Sequence, residues 1–515
     1  MSIGLAVARQ ARHRPDALAV FDQVRRRTWR ELDERTNRLA NALRDRYGVR
    51  AGDRVALLCP NRLEVAEVLT AAHKAGAVYV GLNFRMADED LDGALENAGA
   101  RVLIGASEFA AAGRELASGH GVAWLDLDDA SGSGYEQVIA AQPWSEPPSL
   151  HAVRSTDDAC IVYTSGTTGK PKGVLFSHAA VIQHATVTCL EFEISARSRY
   201  LVQIPHNSSV NITIAPCLVI GAALGFADNR NFDPERFARH VRAEQVSHTF
   251  LVPTQLMRIL DRFSAPDDRF ASLTTLGYGS SPISPDRLGQ LIGVFGPVFI
   301  QLYGMAEIAS IGTLLRKEDH LLAKAGRPEL LRSAGRASLA VDVRVVGEDG
   351  AQVAPGGRGE VVFAGPHLMS GYYRDRERTA EVLIDGWMHS GDIAEVDQEG
   401  YLTIVDRRKN LIIRGGQNIV PTDIENVLFR HPAVLEAAVV GAPDPVWGER
   451  IVAVIALRPG ARADAGELHA HAASQLPAFT RPEEIQVVAA LPKNAVGKID
   501  KQAVRARFWT GKRKV

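Results

Sequence analysis

No excess of one charge, no cysteine pair, no long apolar run and no repeat marks this 515-residue chain. Lys+Arg 59 stand against Asp+Glu 60, for a formal net charge of −1. Bulk electrostatics therefore makes no case for nucleic acid or an anionic membrane as a partner. The basic end, Lys512-Arg513-Lys514, reads as a frayed tail rather than a binding arm. Cys59, Cys160, Cys189 and Cys217 are scattered, without a CxxC pair or metal-ligand spacing. That pattern points to buried free thiols in a reducing compartment. Residues 1–14 hold only a brief apolar run before Arg9, Arg12 and Arg14, with no signal-peptide core. No stretch approaches ~18 consecutive apolar residues. The expectation is a soluble, cytoplasmic protein with no integral membrane segment.

What is present is ordinary globular material, 46% hydrophobic and long enough for two to four domains. Residues 1–110 alternate helix-like and strand-like segments. Thr28 and Glu31 have capping-box spacing before an apolar helical face. Short apolar runs at 55–58 and 76–81 read as strands, with a helix over about 63–75 between them. Residues 115–158 read as less regular, with loops at 132–134 and 143–148. Strands are expected at 159–162, 200–205, 246–252, 273–278 and 298–302, and an apolar helix over about 210–224. From about residue 337 the pattern becomes alternating β. After residue 406 it becomes α+β. Alternating strands and helices indicate largely parallel sheet. The fold class expected is a large α/β N-terminal domain with a small β subdomain, over 1–405, and an α+β C-terminal domain over 406–515.

The densest stretch runs from Tyr163 to Val174 and reads YTSGTTGKPKGV. It follows the apolar strand 159–162 and precedes Ser177, a candidate helix N-cap. Glycines let backbone N–H groups approach an anion, hydroxyls donate further hydrogen bonds, and lysines neutralise charge. The composition suits a polyphosphate. It is not a Walker A loop, because Gly166 and Gly169 are two residues apart and Pro171 follows Lys170. Several later strands also end in Gly, Ser, His or acidic residues, at 205–209, 279–282 and 303–307. Ligands of open α/β sheets sit at that edge.

Six segments occur in order: Thr164–Lys172, Tyr303-Gly-Met-Ala-Glu307, Gly386-Trp-Met-His-Ser-Gly-Asp392, Asp406-Arg-Arg-Lys409, Gly415-Gly-Gln-Asn-Ile-Val-Pro421 and Pro492-Lys-Asn-Ala-Val-Gly-Lys498. With them the chain resembles the adenylate-forming superfamily of acyl-CoA synthetases, luciferases and peptide-synthetase adenylation domains. The resemblance covers nearly the whole chain. It implies a carboxylate attacking the α-phosphate of MgATP to give acyl-AMP and pyrophosphate, then a thiol, usually that of coenzyme A, displacing AMP. An anion attacking an anion needs charge cancellation and fixed geometry.

The resemblance assigns roles to particular residues. Thr164, Ser165, Gly166, Thr167, Thr168 and Lys172 would hold the β- and γ-phosphates. Tyr303 would stack on adenine, with Gly279, Ser280, Ser281 and Pro282 along its amino edge and Gly304 and Met305 beside it. Glu307 would bind Mg²⁺, a hard cation that prefers oxygen. Asp392 would accept from the ribose hydroxyls, and Arg407 would reach ribose or phosphate. Lys498 would bridge the attacking carboxylate and the α-phosphate. The small domain would rotate about Asp406, alternately presenting Lys498 and the segment 414–418. The acyl pocket would draw on His206, Asn211, Ile212, Tyr278, Gly304, Met305 and Ile311, residues suited to an apolar aryl or alkyl acid. The sequence departs from the family at Ala306, usually Thr, at Asn410, commonly acidic, and in the run His206-Asn207-Ser208-Ser209. His206 is open to two readings, a pocket residue or a packed structural histidine.

The expected activity is an acid:CoA ligase using ATP, Mg²⁺ and CoA, with a small carboxylic acid as partner and a homodimer as one admissible assembly. A stand-alone enzyme loading a carrier-protein thiol is the nearest alternative. No Phe-Asp pair for an amino-acid amine occurs in 205–215, and no carrier domain follows Lys498. A luciferase-like oxygenase and a non-catalytic nucleotide-binding regulator are further readings. The regulator would lack Glu307 or Lys498, and both are present.

Overall fold

The computed structural model describes residues 1–164, 171–493 and 499–509. Contacts divide the chain into two compact units, Met1–Val343 with Val362–His389, and Arg344–Val361 with Ser390–Val515. The boundary expected at 405/406 falls inside the second unit.

The first unit contains two large sheets. In one, the parallel strands Asp158–Thr164, Val78–Leu82, Arg54–Leu58, Val102–Gly105 and Ala123–Asp126 lie side by side. Two antiparallel strands, Lys172–Ser177 and Gly371–Tyr372, extend it beyond Asp158–Thr164. In the other, Phe299–Tyr303, Thr275–Gly279, His248–Leu251, Arg199–Val202, Ala223–Phe226 and Leu18–Phe21 run parallel, with antiparallel strands at both edges. The parallel strands are almost wholly buried, as sheets covered on both faces require. The aromatic cluster Phe237, Phe263, Phe270, Phe295 and Phe299 fills one such face.

Local chemistry sets several boundaries as the sequence suggests. Thr28 and Glu31 form a reciprocal capping box on helix Trp29–Asp45. Ser177 accepts from the Ala180 amide at the start of helix His178–Glu191. All four cysteines are buried and free.

Two regions depart from expectation. The stretch 210–224 is not one helix. Val210–Ile214 is a π-helical turn, Ala215–Ile220 is α-helical, and Ala223–Phe226 is a strand. Pro216 has no amide hydrogen for the Ile212 carbonyl, which favours the wider turn before it. Gly221 then leaves the helix at φ 88°, with Gln10 so close that a Cβ there would lie 2.6 Å from its Oε1. An unbroken apolar run carries no period that separates helix from strand. The second region is 115–158, where Ala123–Asp126 forms an edge strand. Its Trp124 ring covers Gly105 and Gly113 so closely that a Cβ on either would meet the ring within 2.4 Å.

One buried charge is committed to specific partners. The Lys74 ammonium, with its side chain at 0% exposure, donates to Asp33 Oδ1 at 2.6 Å, the Asp33 carbonyl at 3.1 Å and Asn37 Oδ1 at 2.7 Å. Lys74→Ala leaves that carboxylate with no charge partner. A loss of about 3 kcal/mol is expected, seen as a lower first transition in thermal unfolding. An unchanged transition would show that Asp33 is adequately solvated without the lysine.

Histidines supply a second expectation. Burial pushes His178, His206 and His248 down to about 4, and His184 to about 3, from the ordinary 6.5. Their folded pKa values lie below the unfolded one, so the unfolded chain takes up protons first. The stability they contribute is complete above pH 6.5 and is lost as the pH falls toward 4. Each histidine at a folded pKa near 4 accounts for at most about 3 kcal/mol. The unfolding temperature should be flat above pH 7 and fall steeply between pH 6.5 and 4. A profile flat down to pH 4 would contradict it.

In the second unit, residues 392–396 pair antiparallel with Leu402–Arg407. A separate sheet combines Gln417–Ile419, Ile412–Arg414, Val434–Asp444, Gly448–Leu457 and Glu484–Val488. Helices Pro421–Phe429 and Ala465–Gln475 pack on it through Ile424, Leu428, Leu468 and Ala472.

Candidate active site

The strand pair flanking the Gly/Thr/Lys stretch is the foundation of the site. Thr164 pairs with Lys172 across the hairpin, and Val174 pairs with Tyr372 on the next strand. Residues 165–170 lie outside the described residues, and with them Ser165, Gly166, Thr167 and Thr168. Lys172 and Val174 share one sheet face, which makes Lys172 and Tyr372 diagonal neighbours. The Lys172 ammonium lies 5.2 Å from the Tyr372 ring centroid.

Tyr372 connects this edge to Glu307. Its hydroxyl donates to Glu307 Oε1 at 2.6 Å. Burial, and then the Glu307 charge, push the phenol far above its ordinary range, so it stays a donor. Glu307 sits in the 3-10 turn Ala306–Ile308 at 8% exposure, and its carbonyl accepts from the Met369 amide at 2.8 Å. A carboxylate, a phenol and an ammonium thus converge from three segments distant in sequence.

The turn carrying Glu307 is tightly wound. Ala309 and Ser310 have φ of 54° and 86°. A Cβ at Gly304 would stand 2.4 Å from the Ser310 carbonyl oxygen, so only glycine fits. At the neighbouring strand end Ser280 has φ 72°, and a Cβ on Gly279 would meet the Leu302 carbonyl at 2.6 Å. Non-glycine residues in this region cost of order 1–3 kcal/mol each and cluster at ligand sites. Tyr303 lies 6.0 Å, ring to ring, from Phe363. Ser281, Pro282 and Met305 continue these two strand-end turns.

Of the expected pocket residues, Asn211, Ile212 and Ile311 are buried at 5%, 5% and 0%. Tyr278 is different. Its hydroxyl donates to Gln301 at 3.0 Å and lies 3.0 Å from His320 Nε2, and its ring packs in the aromatic cluster. Strand alternation turns it into the core, so its side chain is structural. His206 is also structural. Its Nε2 faces the Cys59 carbonyl at 3.0 Å and so carries the proton, and Nδ1 lies 3.0 Å from the Tyr79 hydroxyl, which donates to it. Both nitrogens are used.

In the second unit, Asp392 is 7% exposed, and its Oδ1 accepts from Arg407 Nε at 3.0 Å. The two are directly paired across strands. The Asp392 amide donates to Ser390 Oγ at 3.0 Å, which orients the turn. Asp406 accepts from the Thr422 amide and hydroxyl at 3.1 and 2.7 Å and from Asn410 at 3.0 Å. An acidic residue in place of Asn410 would set two carboxylates against each other. Lys498 and its neighbours 494–497 lie outside the described residues.

Sequence reasoning missed Tyr372. Nothing in Met369-Ser370-Gly371-Tyr372-Tyr373 signals a ligand site, because the tyrosine acts through strand register and through Glu307.

The family profile described as "AMP-binding enzyme" matches residues 7–373. The chain belongs to this AMP-binding, adenylate-forming family. The profile described as "AMP-binding enzyme C-terminal domain" matches residues 423–498 of this AMP-binding enzyme. It is 39% identical over 513 residues to a feruloyl-CoA synthase of Amycolatopsis sp, covering 98% of this chain and 99% of that one. It is 33% identical over 510 residues to an indoleacetate–CoA ligase of Aromatoleum aromaticum, covering 98% of each. Among solved structures, ATP-bound MatB from Rhodopseudomonas palustris superposes with a TM-score of 0.87 at 26% identity, over 99% of each chain. No described helix is long and apolar enough to cross a membrane.

Proposed function

We propose that this AMP-binding enzyme is an ATP-dependent acid:CoA ligase. It activates an apolar carboxylic acid, aryl or alkyl, as acyl-AMP, releases pyrophosphate, and transfers the acyl group to coenzyme A with release of AMP. The observation that carries this reading is the convergence of Glu307, Tyr372 and Lys172 at the edge of the Gly/Thr/Lys hairpin. The named activities of the relatives, on feruloyl and indoleacetate groups, support an aryl acid.

The residues fit Mg²⁺. Among the described residues no cluster of three or more His, Cys, Asp or Glu side chains forms a cage. A single buried carboxylate at Glu307 is what a cation held mainly by phosphates and water asks of the protein. Bound there, Mg²⁺ would neutralise phosphate charge as pyrophosphate departs. Tyr372 fixes the Glu307 carboxylate in one orientation, and Lys172 adds charge on the pyrophosphate side. Asp392 would accept from the ribose hydroxyls, with Arg407 beside it. Lys498 would neutralise both reacting anions, and Asp406 would serve as the hinge for the C-terminal residues. Gly279, Ser280, Tyr303 and Met305 would frame adenine. Asn211, Ile212, Gly304, Met305 and Ile311 would border the acyl group.

The test is a panel of aryl and alkyl acids assayed for pyrophosphate release, with and without CoA. The reading expects acid-dependent pyrophosphate release and CoA-dependent AMP release. AMP release indifferent to CoA would overturn CoA as acceptor and favour a carrier-protein thiol. No acid-dependent pyrophosphate release would overturn adenylation.

A further inference from the structure

Two buried histidines stand behind the segments read above as the acyl-pocket wall. His184, on helix His178–Glu191, is 0% exposed, and its Nδ1 lies 3.2 Å from the Asn211 carbonyl. His367 is 0% exposed, and its Nε2 lies 3.4 Å from the Ile311 carbonyl. The rings meet edge to face with centroids 5.3 Å apart. A carbonyl oxygen only accepts, so His184 carries its proton on Nδ1 and His367 on Nε2. Thr188 does not alter this, because its hydroxyl donates to the His184 carbonyl at 2.9 Å. Burial keeps both imidazoles neutral, and at His184 the neighbouring His367 ring adds to it. The remaining nitrogens, His184 Nε2 and His367 Nδ1, are therefore bare acceptors. Neither has a hydrogen-bond partner among the described residues.

Buried polar atoms are nearly always paired. Two bare acceptors in touching rings, each pinned to the backbone of a different pocket segment, call for a donor from outside the chain. We infer that His184 and His367 form a specificity subsite for a hydroxyl group carried by the acid away from its carboxylate, so that hydroxyaryl acids are the preferred substrates. This rests on the acid:CoA ligase reading and on Asn211 and Ile311 bordering the acyl group. The hydroxyl donates to a ring nitrogen, and no covalent step is involved.

The test compares kcat/KM for pyrophosphate release by the full-length enzyme with benzoic and cinnamic acids and their 3-hydroxy, 4-hydroxy and 4-methoxy forms. A site built to bond a hydroxyl rejects the analogue lacking it more strongly than an apolar pocket rejects a missing methylene, so a preference of about 10-fold or more is expected. The hydroxylated acid should exceed both its parent and its O-methyl form, which is larger but cannot donate. In His184→Leu and His367→Leu the ratio of hydroxylated to parent acid should fall toward one. Equal kcat/KM for all forms of an accepted acid in the native enzyme would mean that the nitrogens hold only water, and would overturn this inference alone. Turnover of none of the acids would overturn the aryl-acid reading and this inference with it. The native-enzyme comparison decides the matter even if neither variant folds.

Discussion

Lys498→Ala is expected to lower acyl-AMP formation by about 10²–10³-fold, the usual cost of removing one group aimed at charge that develops in a transition state. A carboxylate approaching a triphosphate brings two anions together. Only a cation at the reacting atoms themselves offsets that repulsion. Lys172 would sit on the departing pyrophosphate side and cannot substitute. The second half-reaction is different. Thiol attack on a supplied acyl-AMP involves no triphosphate, so thioester formation should be largely preserved. The measurement is acid-dependent pyrophosphate exchange beside AMP release from synthetic acyl-AMP and CoA. Equal loss in both halves would remove the assigned role and point to a structural one.

Glu307→Gln tests the other pole of the site. Glutamine retains the shape and an oxygen that accepts from the Tyr372 hydroxyl, but it has no charge. A fall of about 10²-fold in kcat/KM for ATP is expected, together with a higher Mg²⁺ concentration at half-maximal rate. Tyr372→Phe leaves the charge and removes the 2.6 Å hydrogen bond. It should act in the same direction by a smaller factor, about 10-fold, in line with the net worth of a hydrogen bond to a charged group. Titrating Mg²⁺ in all three proteins separates the effects. An unchanged Mg²⁺ dependence in Glu307→Gln would refute its place beside the metal. An unchanged dependence in Tyr372→Phe alone would mean that the winding of the 303–312 turn orients Glu307 without help.

The parts of the fold legible in the sequence are those set by near neighbours. The Thr28–Glu31 capping box and the Ser177 cap depend on residues three apart and appear in the structure as read. Short apolar strands bounded by glycine and proline, such as Arg54–Leu58 and Val78–Leu82, were equally plain. The run from Val210 to Leu224 was not. Its helix–strand division depends on Pro216, on Gly221 fitting against Gln10, and on the pairing of Ala223–Phe226 with Arg199–Val202. Edge strand Ala123–Asp126 escaped for a similar reason, since Trp124 is placed by glycines on other elements.

The candidate site divides in the same way. Residue type pointed to the polyphosphate stretch, and six segments in order carried the resemblance to the adenylate-forming family, which in turn implied roles for Glu307, Asp392, Arg407 and Lys498. The hydroxyls, glycines and lysines of that stretch are what a polyphosphate requires, whereas a lone carboxylate or lysine elsewhere acquires a role only from the resemblance. Tyr372 was invisible because its function lies in strand register, which brings residue 372 beside residue 172 and its hydroxyl onto residue 307. Along the chain Tyr278 looked like a pocket residue, and His206 was open to a pocket or a structural reading. Packing makes both structural, because each has its polar atoms bonded within the protein. His184 and His367 gave the opposite outcome, two unremarkable histidines whose unpaired nitrogens appear only once their neighbours are known. The sequence alone therefore determined the class of chemistry, because charge and hydrogen-bonding capacity belong to residue types. Only the tertiary structure decided which polar atoms remain unbonded for a ligand, because that depends on partners hundreds of residues away.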